Sequence, residues 1–122
     1  PVGLRVNLNN YGDRYPGVPI YITENGIGLY EDTSVNQVED DDRIEFMDMH
    51  IAAVLKAKEG GCDVRGYYAW SPFDLYSWKN GTEKRYGLVA IDYENGLERR
   101  PKKSYYWYKD VIETDGKHIT EK

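Results

Sequence analysis

The feature that most constrains this chain is a repeated order: a stretch with helical apolar spacing, a break, then a short apolar run, twice over. In the first round Leu4, Leu8, Tyr11 and Tyr15 recur at spacings of four, three and four, the period of an amphipathic helix. "RYPGVP" stops it, and "IYIT" at 20–23 follows as a β-branched and aromatic run suited to a buried strand, which Asn25-Gly26 ends as a turn. In the second round Ile44, Met47, Ile51, Val54 and Leu55 mark the strongest helix of the sequence, Gly60-Gly61 close it, and "VRGYYAWS" at 64–71 reads as the next strand. Helices alternating with short apolar strands imply parallel strands in an α/β layer, with any ligand site at the strands' C-terminal ends. Glu24 and Trp70 occupy those ends.

After residue 71 the pattern changes. "YSWKNGTEKRYG" carries Asn80-Gly81 in a turn position, "LVAIDY" alternates as a strand, and "ENG" marks another turn. "KKSYYWYKDVI" predicts a last helix with Tyr105, Tyr108 and Ile112 on one face, and the polar tail "ETDGKHITEK" is expected to be mobile at its end. The acidic run Glu39-Asp40-Asp41-Asp42 precedes the strong helix. Its carboxylates are read as favoured by the free N–H groups of the helix N-terminus and not as a cation site. Two parallel strands need cover on both faces and leave open edges, so the chain reads as part of something larger.

Composition excludes several classes. A net charge of −5 over 122 residues, with no basic stripe, argues against a nucleic-acid partner. No apolar run approaches the roughly 18–20 residues that cross a bilayer, and "PVGLRVNLNN" lacks the apolar core of a signal peptide, so no membrane association and a cytoplasmic location are expected. The single cysteine, Cys62, is read as a small buried side chain just before a strand. Neither His50 nor His118 has a neighbour at metal-ligand spacing, so no metal and no cofactor are expected. Twelve tyrosines and three tryptophans suit a core, and equally a sugar cleft that meets C–H groups with ring faces.

The stretch "YITENG" places Glu24 where a strand tip would present a carboxylate. Such a residue is either a solvated loop-edge group or a nucleophile held by a rigid strand, and glycoside hydrolysis uses a pair of such carboxylates. "YITENG", "DDRIEFMDMHI", "VRGYYAWSPFDLYSW", "KRYGLVAIDY" and "RRPKKSYYWY" occur in one order across almost the whole chain. In that order and spacing they resemble the C-terminal end of family-1 glycoside hydrolases, the β-glucosidase type. The resemblance implies the C-terminal part of a (β/α)₈ barrel: helix, strand, helix, strand, then a β-hairpin and a terminal helix, with residues 1–122 a single partial domain. It implies that Glu24 is the nucleophile at the end of the seventh strand. Trp70 and Trp78 match the tryptophans that line the sugar site after the eighth.

Within "SWKNGTEKRYG", ordinary β-glucosidases of the family tend to have Glu at the position of Ser77 and Phe at that of Tyr86. A small hydroxyl in place of an anion, with an ammonium and a phenol in the same loop, turns a surface that repels a phosphate dianion into one that donates hydrogen bonds to it. The pattern resembles the 6-phospho-β-glycosidase branch, in which Ser77, Lys84 and Tyr86 would bind the sugar's 6-phosphate. Trp78 points towards galactosides, since phosphoglucosidase members often have a smaller residue there. Asn80-Gly81-Thr82 also fits a glycosylation sequon, but the turn accounts for it.

The family's acid/base glutamate lies in an Asn-Glu-Pro context, and this sequence has none. Retaining hydrolysis needs two carboxylates about 5–5.5 Å apart, so the chain alone is expected to be inactive. Three readings stay open: a C-terminal fragment of a 6-phospho-β-galactosidase or 6-phospho-β-glucosidase, or of an ordinary β-glucosidase; a non-catalytic module binding phosphorylated sugars; and an assembly subunit. In the last, self-association or pairing with the missing barrel portion covers the sheet edges.

Overall fold

The computed structural model describes residues 1–120, and the end of the tail, where mobility is expected, lies at residues 121–122, outside the described residues. The elements are α1 (Val2–Arg14), β1 (Ile20–Asn25), α2 (Asp41–Glu59), β2 (Val64–Ala69), β3 (Val89–Asp92), β4 (Glu98–Pro101) and α3 (Lys103–Glu113). The chain thus has the expected helix, strand, helix, strand, followed by a hairpin and a helix. β1 and β2 are parallel, with Ile20 opposite Val64, Ile22 opposite Tyr67 and Asn25 opposite Ala69. They form a two-stranded sheet separate from the antiparallel pair β3 and β4.

One face of the parallel pair is covered by both preceding helices. Leu8 of α1, Val54 and Ala57 of α2, Cys62 and Val64 form the buried cluster, with Leu4, Ile20, Ile22 and Tyr67 packed against it. Cys62 is buried as expected, and its thiol donates to the Leu8 carbonyl at 3.3 Å. The apolar stripe of α1 differs from its reading in sequence. Tyr11 and Tyr15 are exposed. The stripe runs through Leu4, Leu8 and Gly12, where a Cβ on Gly12 would lie 3.4 Å from Cys62 Sγ. A residue without a side chain lets the end of α1 approach the start of β2, and a tyrosine there would hold them apart.

In α2, Asp41 and Asp42 stand in the first turn, where the macrodipole favours them. Asp40 does not act as read from sequence. It occupies the N-cap position of α2 but makes no side-chain capping bond there. Instead its Oδ1 accepts from the Ser104 N–H at 2.9 Å, and its other oxygen takes the Ser104 hydroxyl and Arg43. Asp40 therefore serves a free N–H in the first turn of α3, a helix 64 residues further on. On α3 the buried residues are Ser104 and Val111, while Tyr105 and Ile112 are exposed. The predicted tyrosine and isoleucine face is set aside because anchoring Ser104 on Asp40 fixes the rotation of the helix. Beyond α3 the tail returns to α2, with the Thr120 N–H on Asp48 Oδ1 at 2.9 Å.

The segment between β2 and α3 buries Leu88, Ala90 and Ile91 and is also crossed by buried charges. Lys102 is fully buried and its ammonium bonds Glu31 at 2.7 Å and Asp74 at 2.8 Å. Asp74 also accepts from the N–H groups of Gly87 and Ile91, so one carboxylate spans three pieces of the segment. Arg43 pairs with Glu31 through both terminal nitrogens and donates to the Arg85 carbonyl at 2.7 Å. Burial works against the Arg43 charge, but Glu31 and Asp40 outweigh it and hold its pKa above the usual guanidinium value. Lone buried charges would cost several kcal/mol each, roughly, and here each is matched by a partner of opposite sign.

Candidate active site

β1 ends in Glu24 and Asn25, and the two strand tips are fastened to each other. The Tyr67 hydroxyl donates to Asn25 Oδ1 at 2.7 Å, and the Trp70 N–H donates to the Asn25 carbonyl at 2.8 Å. Burial pushes the Tyr67 phenol well above its ordinary pKa, which keeps it a donor. Gly26 follows for a reason other than the turn read from sequence. A Cβ there would stand 1.9 Å from the Trp70 carbonyl oxygen, so only glycine lets the two chains pass. The Trp70–Ser71 peptide is cis. Ser71 joins the rim to the following loop: its N–H donates to the Tyr86 carbonyl and its own carbonyl accepts from Leu88.

These tips open onto a cleft of about 720 Å³ whose walls include Glu24, Trp70, Ser77, Trp78, Lys79 and Tyr86. Among the described residues Glu24 is the only carboxylate of the lining, and Trp78, 94% exposed, presents almost its whole indole. Five of the six residues expected at a site are thus brought together. Lys84 is not among the lining. Its ammonium sits 5.5 Å from the centroid of the exposed Tyr30 ring.

The loop that carries Ser77 closes on itself, with the N–H of each of Ser77 and Gly81 donating to the other's carbonyl. Gly81 takes φ +60, which suits the glycine of an Asn-Gly turn. Ser77 Oγ accepts from the backbone N–H of Lys79 at 3.2 Å and of Asn80 at 3.4 Å. Asn80 Nδ2 donates to the Tyr86 hydroxyl at 2.6 Å. The Tyr86 ring lies over Gly28, where a Cβ would come 2.5 Å from Cζ. Lys79 and Asn80 are contributors that sequence reading passed over. Asn-Gly is a sufficient turn signal by itself, which masked any further use of the asparagine side chain.

Among the described residues no group of three or more His, Cys, Asp and Glu side chains is placed to hold a metal ion. His50 is engaged by the Phe46 carbonyl and stacked on its ring, and His118 pairs with Asp110. No helix of the described structure is long and apolar enough to cross a membrane.

Helix-backed parallel strands that end in a carboxylate and a tryptophan over an open cleft define part of the catalytic rim of a (β/α)₈ barrel. The family model described as Glycosyl hydrolase family 1 matches residues 1–117, and the chain belongs to that family. It is 42% identical to the aryl-phospho-β-D-glucosidase BglC of Bacillus subtilis over 98% of its own length and 26% of that protein's. It is 44% identical to β-glucosidase 31 of Arabidopsis thaliana, covering 96% of this chain and 23% of that one. With the 6-phospho-β-galactosidase of Leptotrichia buccalis the identity is 45%, over 93% and 24% respectively. Among solved structures, the family 1 β-glucosidase of Thermotoga maritima superposes with a TM-score of 0.88 at 35% identity, over 93% of this chain and 26% of that one. The chain spans about a quarter of the length of the relatives it matches.

Proposed function

We propose that these residues form the nucleophile and phosphate-binding half of a retaining 6-phospho-β-glycosidase. Glu24 attacks the anomeric carbon to give the covalent glycosyl-enzyme, while a second carboxylate, supplied by polypeptide outside these 122 residues, protonates the leaving oxygen. Trp70 and Trp78 offer ring faces to the C–H groups of the sugar. Ser77, Lys84 and Tyr86 hold the 6-phosphate, and the open edges of β1 and β2 are where the complementary barrel strands pair.

Identity does not separate phosphorylated from neutral substrates, since 42%, 44% and 45% are equivalent. The observation that carries the reading is that Ser77 and Tyr86, two hydroxyl-bearing residues, line the cleft, where among the described residues Glu24 is the only carboxylate. Lys84 fits the same reading although its ammonium rests over Tyr30. An exposed cation–π contact is worth about 0.5–1 kcal/mol, less than the roughly 1.5–3 kcal/mol of a hydrogen bond to a charged group, so a phosphate dianion draws the ammonium away.

The test is a titration of the chain with galactose 6-phosphate and with galactose, followed by tryptophan emission. Binding of the phosphate at least about tenfold tighter, with the advantage shrinking as salt is raised, is expected. Equal affinities would refute the phosphate subsite. A chromogenic 6-phospho-β-galactoside should not be turned over by the chain alone, and turnover abolished by Glu24→Gln would refute the division of the two carboxylates.

A further inference from the structure

We propose that Asn80 is a positioning residue that biases the hydrogen-bond polarity of the Ser77 and Tyr86 hydroxyls so that both offer their protons to a ligand in the cleft. The inference rests on the phospho-sugar reading above and goes beyond it, because it explains how two hydroxyls, each able to donate or accept, discriminate a phosphate from a sugar alcohol. A serine hydroxyl has one proton and two lone pairs. In Ser77 both lone pairs are taken, by the N–H groups of Lys79 at 3.2 Å and Asn80 at 3.4 Å. What is left to offer a ligand is the proton. Tyr86 is biased the same way by one bond: its oxygen accepts from Asn80 Nδ2 at 2.6 Å, which leaves its proton to offer.

Asn80 is thus the one residue that touches both hydroxyls, the first through its main chain and the second through its side-chain amide. A phosphate dianion accepts hydrogen bonds and donates none, whereas a neutral C6 hydroxyl is served by either polarity. Holding both groups as donors favours the anion specifically, and discrimination of this kind needs no new contact between Asn80 and the ligand. The Ser77–Gly81 turn supplies the frame, since it holds Asn80 between the serine and the tyrosine ring.

The experiment is a double-mutant cycle on affinity for galactose 6-phosphate with Asn80→Ala, Tyr86→Phe and the double variant. If Asn80 acts through the Tyr86 hydroxyl, Tyr86→Phe weakens phosphate binding by about tenfold, Asn80→Ala by several-fold, and the double variant by no more than Tyr86→Phe. Galactose affinity should fall by less than phosphate affinity in all three, because a neutral hydroxyl is served by donor or acceptor alike. Losses that multiply in the double variant, or an equal loss towards galactose, would overturn the proposal. If the wild-type chain shows no preference for the phosphate, the phospho-sugar reading itself falls, a result distinct from either. A measurement on the unmodified chain guards against variants that do not fold. The Asn80 side-chain amide resonances should shift on adding galactose 6-phosphate and not galactose, and resonances unmoved by a bound phosphate would also overturn the proposal.

Discussion

The two halves of this molecule differ in how much they rely on directed contacts. From α1 to β2 the chain relies on non-directional burial: Leu8, Val54, Ala57, Cys62 and Val64 exclude water between helices and strands. From Ser71 to Ser104 buried charges are added to the buried Leu88, Ala90 and Ile91: Lys102 and Asp74 lie within the segment, and Arg43 and Asp40 reach it from the start of α2. An apolar cluster tolerates small rotations of its members. A lysine shared by two carboxylates does not, because hydrogen bonds weaken steeply with angle. Buried ion pairs seldom add net stability over well-packed apolar residues. Their value here is directional: Asp74 fixes Gly87 and Ile91, Arg43 fixes Arg85, and the segment between them carries Ser77 and Tyr86.

The sharpest way to break this contrast is Lys102→Ala, which takes the ammonium from both carboxylates and leaves Asp74 with Arg85 at 3.6 Å and Glu31 with Arg43. A loss of about 3–5 kcal/mol is expected from chemical denaturation, along with loss of galactose 6-phosphate binding under conditions where the chain is still folded. Leu8→Ala should cost less, about 2–3 kcal/mol, because the open sheet lets the cluster relax, and should leave phosphate affinity unchanged. Equal effects of the two changes on binding would show that the two halves are not separable. The smallest effect is one of pH. Burial pushes the His50 imidazole below its ordinary value of 6.5, against the pull of the Phe46 carbonyl. The unfolded chain then binds the proton first, so this contribution is complete above pH 6.5 and is lost as pH falls through 6.5 towards the lower folded value. In His50→Gln the decline of stability between pH 7 and pH 5 should be shallower.

What could be read from the sequence follows the same division. Apolar periodicity revealed α1, β1, α2 and β2 and their order, since burial leaves a repeating trace along the chain. Charge pairing leaves none. Asp40 sits in a run of acids that looks like a helix start, and nothing nearby announces Ser104 as its partner. The true rotation of α3 followed from that contact and was invisible for the same reason. β4 carries no strand pattern in sequence, because it is arginine-rich and ends in Pro101. Family resemblance points to Glu24, Trp70, Ser77, Trp78 and Tyr86, and these share one cleft. The position of the Lys84 ammonium and the bridging role of Asn80 depend on side-chain conformations that spacing does not encode.

The bond from Asp40 to Ser104 also has a kinetic meaning. Closing a flexible loop of 64 residues costs roughly 4 kcal/mol in chain entropy, comparable to what two hydrogen bonds to a buried carboxylate return. The contact is close to break-even on its own and forms in step with the rest of the C-terminal segment. Until then the carboxylate is served by Arg43 alone. The last helix therefore acts as a latch on the start of α2: a chain cut before residue 104 would leave the Asp40 carboxylate with Arg43 and without the two bonds from Ser104.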